Sequence, residues 1–162
     1  MKDTTLLFLI KKKEGKITDI CLAKKKRGFG VGRWNGVGGK VHIGESVEDA
    51  VIRETEEEIN VVVKNKDLAK IAELCFNFPH QSDWDQKTHV YFCESWLGDP
   101  VESEEMNPKW FRSEKLPFKE MWPDDTFWMP KVLEGDLIKG NFIFAEGDLI
   151  LEHKLNSVDK FF

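Results

Sequence analysis

The chain has 162 residues, of which 41% are hydrophobic and 33% charged, and these values are typical of one soluble globular domain. We therefore predict a single domain over residues 1–162. The net charge of −5 and the pI of about 5.5 argue against a duplex-DNA binder, which usually has a net basic face.

The cysteines and the N-terminus bear on the compartment. Cys21, Cys75 and Cys93 are an odd number and lack metal-ligand spacing, which indicates reduced, intracellular thiols. The apolar run over residues 6–10 is too short for a signal sequence or a membrane span. We expect a cytoplasmic protein with no membrane or nucleic-acid partner, and a monomer is the default expectation.

The chain opens with a predicted hairpin followed by a glycine-rich loop. Residues 4–10 and 17–23 are rich in apolar and β-branched side chains, and residues 11–16 form the predicted turn between them. Residues 27–44 contain seven glycines. Such a density predicts a loop whose backbone either approaches another group closely or needs positive φ.

A helix is predicted from Ser46 to Ile59. Ser46 is a favourable N-cap, and acidic residues follow in the first turn, where they complement the helix dipole. Apolar residues recur at helical spacing. Asn60, which tolerates the left-handed conformation, is the predicted stop.

The second half of the chain contains shorter predicted elements, five strands and one helix. The patterns predict strands at 70–78, 88–96, 109–111, 141–145 and 148–153, and a helix at 125–135 that contains Pro130. The order of elements predicts an α+β fold with a central mixed sheet.

Three glutamates of the first helix form the strongest candidate site. Glu54, Glu57 and Glu58 are spaced i, i+3 and i+4 and therefore share one helix face. Carboxylates stacked in this way repel one another unless a cation binds there, and oxygen ligands suit Mg²⁺ or Mn²⁺. Arg53, four residues before Glu57, can pair with a glutamate. A solvated acidic face explains the glutamates alone, but the glycine-rich entry and Glu45 favour a metal site.

The complete motif resembles that of a known family. It reads Gly39-x5-Glu45-x7-Arg53-Glu54-Thr55-x-Glu57-Glu58-x-Asn60-Val61. This is similar to the Nudix box, Gly-x5-Glu-x7-Arg-Glu-U-x-Glu-Glu-x-Gly-U, in which U is a bulky apolar residue. Thr55 and Asn60 depart from it, and every acidic position is kept. The resemblance implies the Nudix fold, a mixed β-sheet sandwiched between helices, and hydrolysis of nucleoside diphosphate derivatives with divalent cations.

Blocks outside the box resemble one branch of that family. Residues 24–30, 32–41, 100–106 and 117–125 are similar to the oxidised purine nucleoside triphosphatases, the eukaryotic MutT homologues. This resemblance implies hydrolysis of 8-oxo-dGTP and 2-hydroxy-dATP to the monophosphate and pyrophosphate, which sanitises the nucleotide pool.

The resemblance also implies roles for individual residues. Mg²⁺, which Mn²⁺ can replace, is expected to be held by Gly39, Glu54, Glu57, Glu58 and Glu105. Arg53 supports these carboxylates, and either Glu58 or Glu105 activates the water. The purine is expected to be read by Asn35, Asp124 and Asp125, stacked on Trp122, and enclosed by Phe29, Phe76 and Met106. Lys25 is expected on the phosphate or sugar side, and Thr5 on the pocket floor.

Simpler interpretations of the same residues stay open at this stage. Asp124 and Asp125 follow a proline and could cap the second helix. Trp122 could be a core residue, and Asn35 a turn residue before glycine. The open functional alternatives are a Nudix hydrolase of O6-methyl-dGTP, N6-methyl-dATP, ADP-ribose or a dinucleoside polyphosphate, and a non-catalytic binding module.

Overall fold

The computed structural model describes residues 1–161, which form eight strands and two α-helices. The predicted α+β class is confirmed. In chain order the elements are β1 (Lys2–Lys13), β2 (Lys16–Lys25), β3 (Trp34–Asn35), α1 (Val47–Ile59), β4 (Leu68–Asn77), β5 (Gln86–Cys93), β6 (Met106–Arg112), α2 (Asp125–Leu133), β7 (Leu137–Ala145) and β8 (Leu149–Val158).

The strands form one mixed sheet. Its order is β3-β2-β1-β5-β4-β7-β8, and β6 pairs with β2. The pairs β1–β5 and β4–β7 are parallel, whereas the other pairs are antiparallel. Strands that are distant in sequence therefore meet in the middle of the sheet.

The two helices cover opposite faces of this sheet, as predicted. Along β1, Leu7 and Leu9 point toward α1, whereas Phe8 and Ile10 belong to the core on the α2 side. This alternation follows from the two-residue repeat of a strand. Among the residues described, no helix is long and apolar enough to cross a membrane.

The predicted first helix is confirmed together with both of its ends. The Ser46 side chain accepts a hydrogen bond from the Asp49 N–H at 3.0 Å. Asn60 is left-handed, with φ of 58°, and its N–H donates to the Glu56 carbonyl. The departure from the family's glycine is therefore accommodated by a residue that tolerates this conformation.

Several predicted boundaries are wrong because strand pairing extends beyond the apolar cores of the strands. The predicted turn at 11–16 is only two residues, Glu14 and Gly15, both with positive φ. Lys13 and Lys16 flank this turn and pair with each other as strand residues, and the pairing continues beyond a register shift between Lys11 and Lys12. Likewise, β7 starts earlier than predicted and β8 ends later, and their extended ends pair with Leu137 opposite Val158.

Other boundaries differ in detail. β3 was not predicted, β6 is longer than 109–111, and β4 ends at Asn77. β5 spans Gln86–Cys93 rather than 88–96. The second helix ends at Leu133 and contains Pro130, whose ring is exposed on the solvent side.

Candidate active site

The glycine-rich loop brings backbone against β1 and α1. At Gly38 a Cβ would lie 1.8 Å from the Thr5 carbonyl oxygen, and at Gly39 it would lie 2.5 Å from a Glu54 carboxylate oxygen. Neither glycine has a positive φ, so close approach to the β1 backbone is the reason that only glycine fits at position 38, whereas a side chain at position 39 would displace the Glu54 carboxylate. The Gly39 carbonyl accepts a hydrogen bond from the Thr5 N–H at 2.9 Å.

Arg53 organises the carboxylates beside Gly39. Its guanidinium binds both oxygens of Glu45, at 2.8 and 2.9 Å, and donates to Glu54 at 2.8 Å. The predicted contact with Glu57 is present but longer, at 3.4 Å. The hydrogen bonds from Arg53 lower the pKa of Glu45 to about 2.

Glu58 lies deeper than the other box glutamates, with 4% of its surface exposed. One carboxylate oxygen accepts the Gly38 N–H at 3.0 Å, and the other has no hydrogen-bond partner among residues 1–161. Burial, with the nearby charges of Glu54 and Glu105, raises the Glu58 pKa to about 8. A buried carboxylate with an unfilled oxygen suits a cation, which would stabilise its charged form.

Glu105 lies outside the box, on the segment that leads into β6. Its carboxylate is paired with Arg27 at 3.1 Å, and about half of the side chain is exposed. The negative charge of Glu105 contributes to the raised pKa of Glu58.

The oxygen ligands predicted for this site fit a divalent cation, but the carboxylates are not preorganised around one position. Over the described part of the chain, no three acidic, histidine or cysteine side chains converge at metal-ligating distance. Arg53 holds Glu54 and Glu57, so a cation must compete with the guanidinium for them. Carboxylate oxygens and a nearby backbone carbonyl are the ligands that Mg²⁺ accepts.

A cavity of about 350 Å³ opens next to these carboxylates. It reaches Gly38 and Gly39, so the predicted metal site and the cavity share a border. The cavity contains every residue predicted to bind substrate: Thr5, Lys25, Phe29, Asn35, Phe76, Met106, Trp122, Asp124 and Asp125.

Asp124 and Asp125 are buried at the start of α2, with 3% and 2% of their surfaces exposed. Burial raises the pKa of Asp124 to about 6. Burial and the neighbouring Asp124 raise the pKa of Asp125 well above its usual value. The pair therefore tends to retain one proton on Asp125 at neutral pH, which provides a donor beside an acceptor.

The capping interpretation of this pair is wrong. Asp124 stands at the N-cap position, but its backbone is helical and its side chain makes no capping bond. Instead, its carboxylate accepts the indole N–H of Trp128, one turn along α2, at 2.8 Å. Within residues 1–161, Asp125 Oδ2 has no hydrogen-bond partner.

Aromatic side chains form the walls of the cavity. Trp122 stacks with Phe29, with ring centroids 5.0 Å apart. Phe76 stacks with Phe142 at 5.6 Å. The alternative of Trp122 as a buried core residue is not favoured, since its ring is half-buried and lines the cavity.

Asn35 lies in β3 rather than in a turn. Its side-chain oxygen accepts the N–H of Gly36 at 2.9 Å, which resembles the local bond of a turn. Asn35 lines the cavity, so its amide N–H groups can donate to a ligand there.

Sequence reasoning missed two supporting residues. Trp128 binds Asp124, and its spacing of four residues on a predicted helix was the available signal. Arg33 donates to the Met121 carbonyl and pairs with Asp148 at 2.7 Å, and its guanidinium carbon lies 4.2 Å from the centre of the Trp122 ring. No local pattern links Arg33 to these partners.

Other missed residues line the same cavity. They are Lys40, which directly follows Gly39, and polar or aromatic side chains carried by strands and loops outside the box: Lys2, Thr4, Phe78, Trp84, Gln86, Thr88 and Phe144.

Comparison with known proteins gives the same family as the site. The NUDIX domain matches residues 2–132. The chain belongs to the Nudix family. A Nudix hydrolase acts on small nucleotide derivatives and generally works with a divalent cation.

Among similar proteins, a mouse and a zebrafish protein each share 42% identity with this chain. Both are named oxidized purine nucleoside triphosphate hydrolase. The mouse alignment covers 88% of this chain and 89% of that protein, and the zebrafish alignment covers 86% and 88%. A MutT protein from Bacillus halodurans has the same Nudix fold, with a TM-score of 0.80 at 21% identity, covering 96% of this chain and 98% of that one.

Proposed function

We propose that this Nudix hydrolase converts oxidised purine nucleoside triphosphates, 8-oxo-dGTP and 2-hydroxy-dATP, to the monophosphate and pyrophosphate. The observation that carries the proposal is the pair of adjacent buried aspartates in an aromatic-walled cavity that borders the Nudix glutamates. The mouse and zebrafish relatives, which are named for this activity, support it.

The base is read by groups that offer both donors and acceptors. Protonated Asp125 donates, ionised Asp124 accepts, and the amide of Asn35 donates from another wall. Because the proton on the aspartate pair can be redistributed, purines with different edge patterns can be bound. Trp122 and Phe29 supply flat surfaces, and stacking contributes about 1–3 kcal/mol per base in single-stranded nucleic acids.

The triphosphate extends from the cavity toward Gly38 and Gly39. Glu54, Glu57 and Glu58, with the Gly39 carbonyl and Glu105, would hold Mg²⁺, and Mn²⁺ would substitute for it. When bound, such a cation neutralises phosphate charge and lowers the pKa of water. Lys25 lines the cavity beside these carboxylates, and its positive charge lowers the pKa of Glu58.

Either Glu58 or Glu105 orients the attacking water. Glu58 has a free carboxylate oxygen within the described chain but is buried, whereas Glu105 is half-exposed and paired with Arg27. The cytoplasmic location and the monomeric state stay predictions.

The test is pyrophosphate release with Mg²⁺ from 8-oxo-dGTP, 2-hydroxy-dATP, O6-methyl-dGTP and dGTP. We expect the two oxidised purines to be hydrolysed with the highest kcat/KM. A preference for O6-methyl-dGTP would move the function to another modified purine. No release from any of the four would overturn the proposal.

A further inference from the structure

A row of polar side chains crosses the sheet side of the cavity and is not used by the proposed function. Thr4 on β1 lies opposite Thr88 on β5, and Thr88 lies opposite Leu74 on β4. Gln86 lies two residues before Thr88 and so shares its face. All four residues line the cavity. Thr4 and Thr88 are more than nine-tenths buried.

The hydrogen bonds of this row run in one direction. The Gln86 amide donates to the Trp84 carbonyl at 3.1 Å, and since a carbonyl only accepts, the nitrogen of the amide must face it. The Gln86 side-chain oxygen therefore faces Thr4, whose hydroxyl donates to it at 3.1 Å. The Thr4 oxygen lies 2.9 Å from the Thr88 oxygen. Because the Thr4 proton is already used, Thr88 must be the donor in this contact.

The direction of these hydrogen bonds determines whether the cavity wall at Thr88 presents a donor or an acceptor to a ligand. Thr88 has a single hydroxyl proton, and it points to Thr4. The Thr88 oxygen keeps its lone pairs, and no donor to it is found among residues 1–161. This wall therefore accepts a hydrogen bond from a ligand and repels another acceptor.

Oxidation of a purine at C8 changes N7, which would face this cavity wall, from a hydrogen-bond acceptor to a donor. In an undamaged purine N7 carries a lone pair and accepts hydrogen bonds. In an 8-oxopurine N7 carries a hydrogen and donates. A purine oxidised at C2 keeps the N7 lone pair, because its added oxygen lies on the six-membered ring.

We propose that Thr88, oriented by Thr4 and Gln86, is a specificity-determining residue that accepts the N7–H of an 8-oxopurine and disfavours the N7 lone pair of an undamaged purine. This inference rests on the proposed function and adds a second reading position to the aspartate pair. The aspartates and Asn35 read other groups of the base, whereas Thr88 distinguishes the oxidised imidazole ring.

The test compares Thr88→Val, which removes the hydroxyl at nearly constant volume, with Thr88→Ser, which keeps it. We expect Thr88→Val to lower the ratio of kcat/KM for 8-oxo-dGTP over dGTP by about tenfold, the effect of one hydrogen bond. Thr88→Ser should retain most of this ratio. The ratio for 2-hydroxy-dATP over dATP should stay at its wild-type value in both variants.

A binding measurement without turnover provides a second readout. The affinity for 8-oxo-dGMP relative to dGMP, measured in the absence of Mg²⁺, should fall in Thr88→Val by the same factor. Thr18→Val is the matched control, because the Thr18 hydroxyl binds the Lys11 carbonyl and Asp19 on the first hairpin, away from the cavity.

The outcomes separate the two proposals. If the wild-type protein prefers 8-oxo-dGTP and Thr88→Val keeps that preference, the role of Thr88 is wrong and the proposed function stands. Equal losses for 8-oxo-dGTP and dGTP would indicate a merely structural threonine and also overturn the inference. A wild-type protein without any preference for oxidised purines would overturn both proposals.

Discussion

At the scale of single residues, the proposed chemistry depends mainly on buried carboxyl groups. Glu58, Asp124 and Asp125 are each less than 5% exposed. Glu58 and Asp125 each have an oxygen without a hydrogen-bond partner in the described chain. Burying a polar atom without a partner costs free energy, so these oxygens are suited to a ligand that is not part of the protein.

The role of the box glutamates predicts a large loss of turnover. Glu57→Gln and Glu58→Gln replace a candidate metal-ligating carboxyl group by an amide of nearly the same shape, and each should lower kcat by about a hundredfold or more. Steady-state pyrophosphate release measures the loss, and circular dichroism checks the fold. Glu56→Gln is the control, because Glu56 is exposed on the same helix and outside the site. Near-normal turnover in both site variants would remove the metal-site assignment.

The aspartate pair predicts a pH dependence. Burial raises the pKa of Asp124 to about 6, so Asp124 is ionised above this pH and neutral below it. Binding that uses Asp124 as an acceptor should weaken as the pH falls through about 6. We expect kcat/KM for 8-oxo-dGTP to decline on the acid side in the wild type.

Asp124→Asn should lack this acid-side decline and lose selectivity among purines. Asp136→Asn, a substitution of an exposed aspartate just after α2, should leave the decline unchanged. Persistence of the same inflection in Asp124→Asn would assign it to another group.

At the scale of elements, α1 is the best-determined part of the molecule. Its N-cap, acidic first turn and left-handed stop are encoded within fifteen consecutive residues, Ser46 to Asn60. Local rules predicted both ends because the capping bonds join residues three or four apart. By contrast, the strand ends depend on partners elsewhere, and they were predicted less well.

Asn60 provides a test of this element. Its φ of 58° disfavours a residue with a Cβ and no local hydrogen-bonding side chain. Asn60→Ala should lower the free energy of unfolding by about 1 kcal/mol, whereas Asn60→Gly should be neutral or stabilising. Urea denaturation of the three proteins measures the difference. Equal stability of the alanine and glycine variants would contradict the conformational explanation.

At the scale of the whole molecule, β1 joins the two halves of the site. Thr5 and Thr4 both border the cavity from opposite faces of the strand, and Thr5 also donates its N–H to the Gly39 carbonyl. Successive residues of a strand point to opposite faces, so one strand borders both the carboxylates and the base cavity. A nucleotide can therefore place its base on one side of the sheet and its phosphates at the edge near α1.

This arrangement predicts a link between cation binding and stability. Mg²⁺ at a hundred times its Kd should stabilise the fold by about 2.7 kcal/mol and raise Tm, because a ligand of the folded state shifts the unfolding equilibrium. Removal with EDTA should reverse the increase. Thermal denaturation of Glu58→Gln should show a smaller increase with Mg²⁺. An equal increase in that variant would place the cation elsewhere.

The sequence by itself determined the Nudix motif and the first helix, and its family resemblance identified nine of the residues that line the cavity. The motif could be read because all its acidic residues lie on or next to one helix, where spacing along the chain specifies position in space. The candidate base-binding residues were predicted from a family resemblance, because Asn35 and Trp122 lie far apart in sequence and no local spacing connects them.

Only the tertiary structure decided how distant residues combine. The Thr4 and Thr88 hydroxyls are 84 residues apart and meet because β1 and β5 pair in parallel register. Arg33 and Asp148 are 115 residues apart and meet beside Trp122. The threonine contact depends on sheet register, because a one-residue change would turn the Thr4 or Thr88 side chain to the opposite face. The Arg33–Asp148 contact depends on how the two loops that carry these residues pack against each other. Local sequence patterns therefore do not predict which distant residues come into contact.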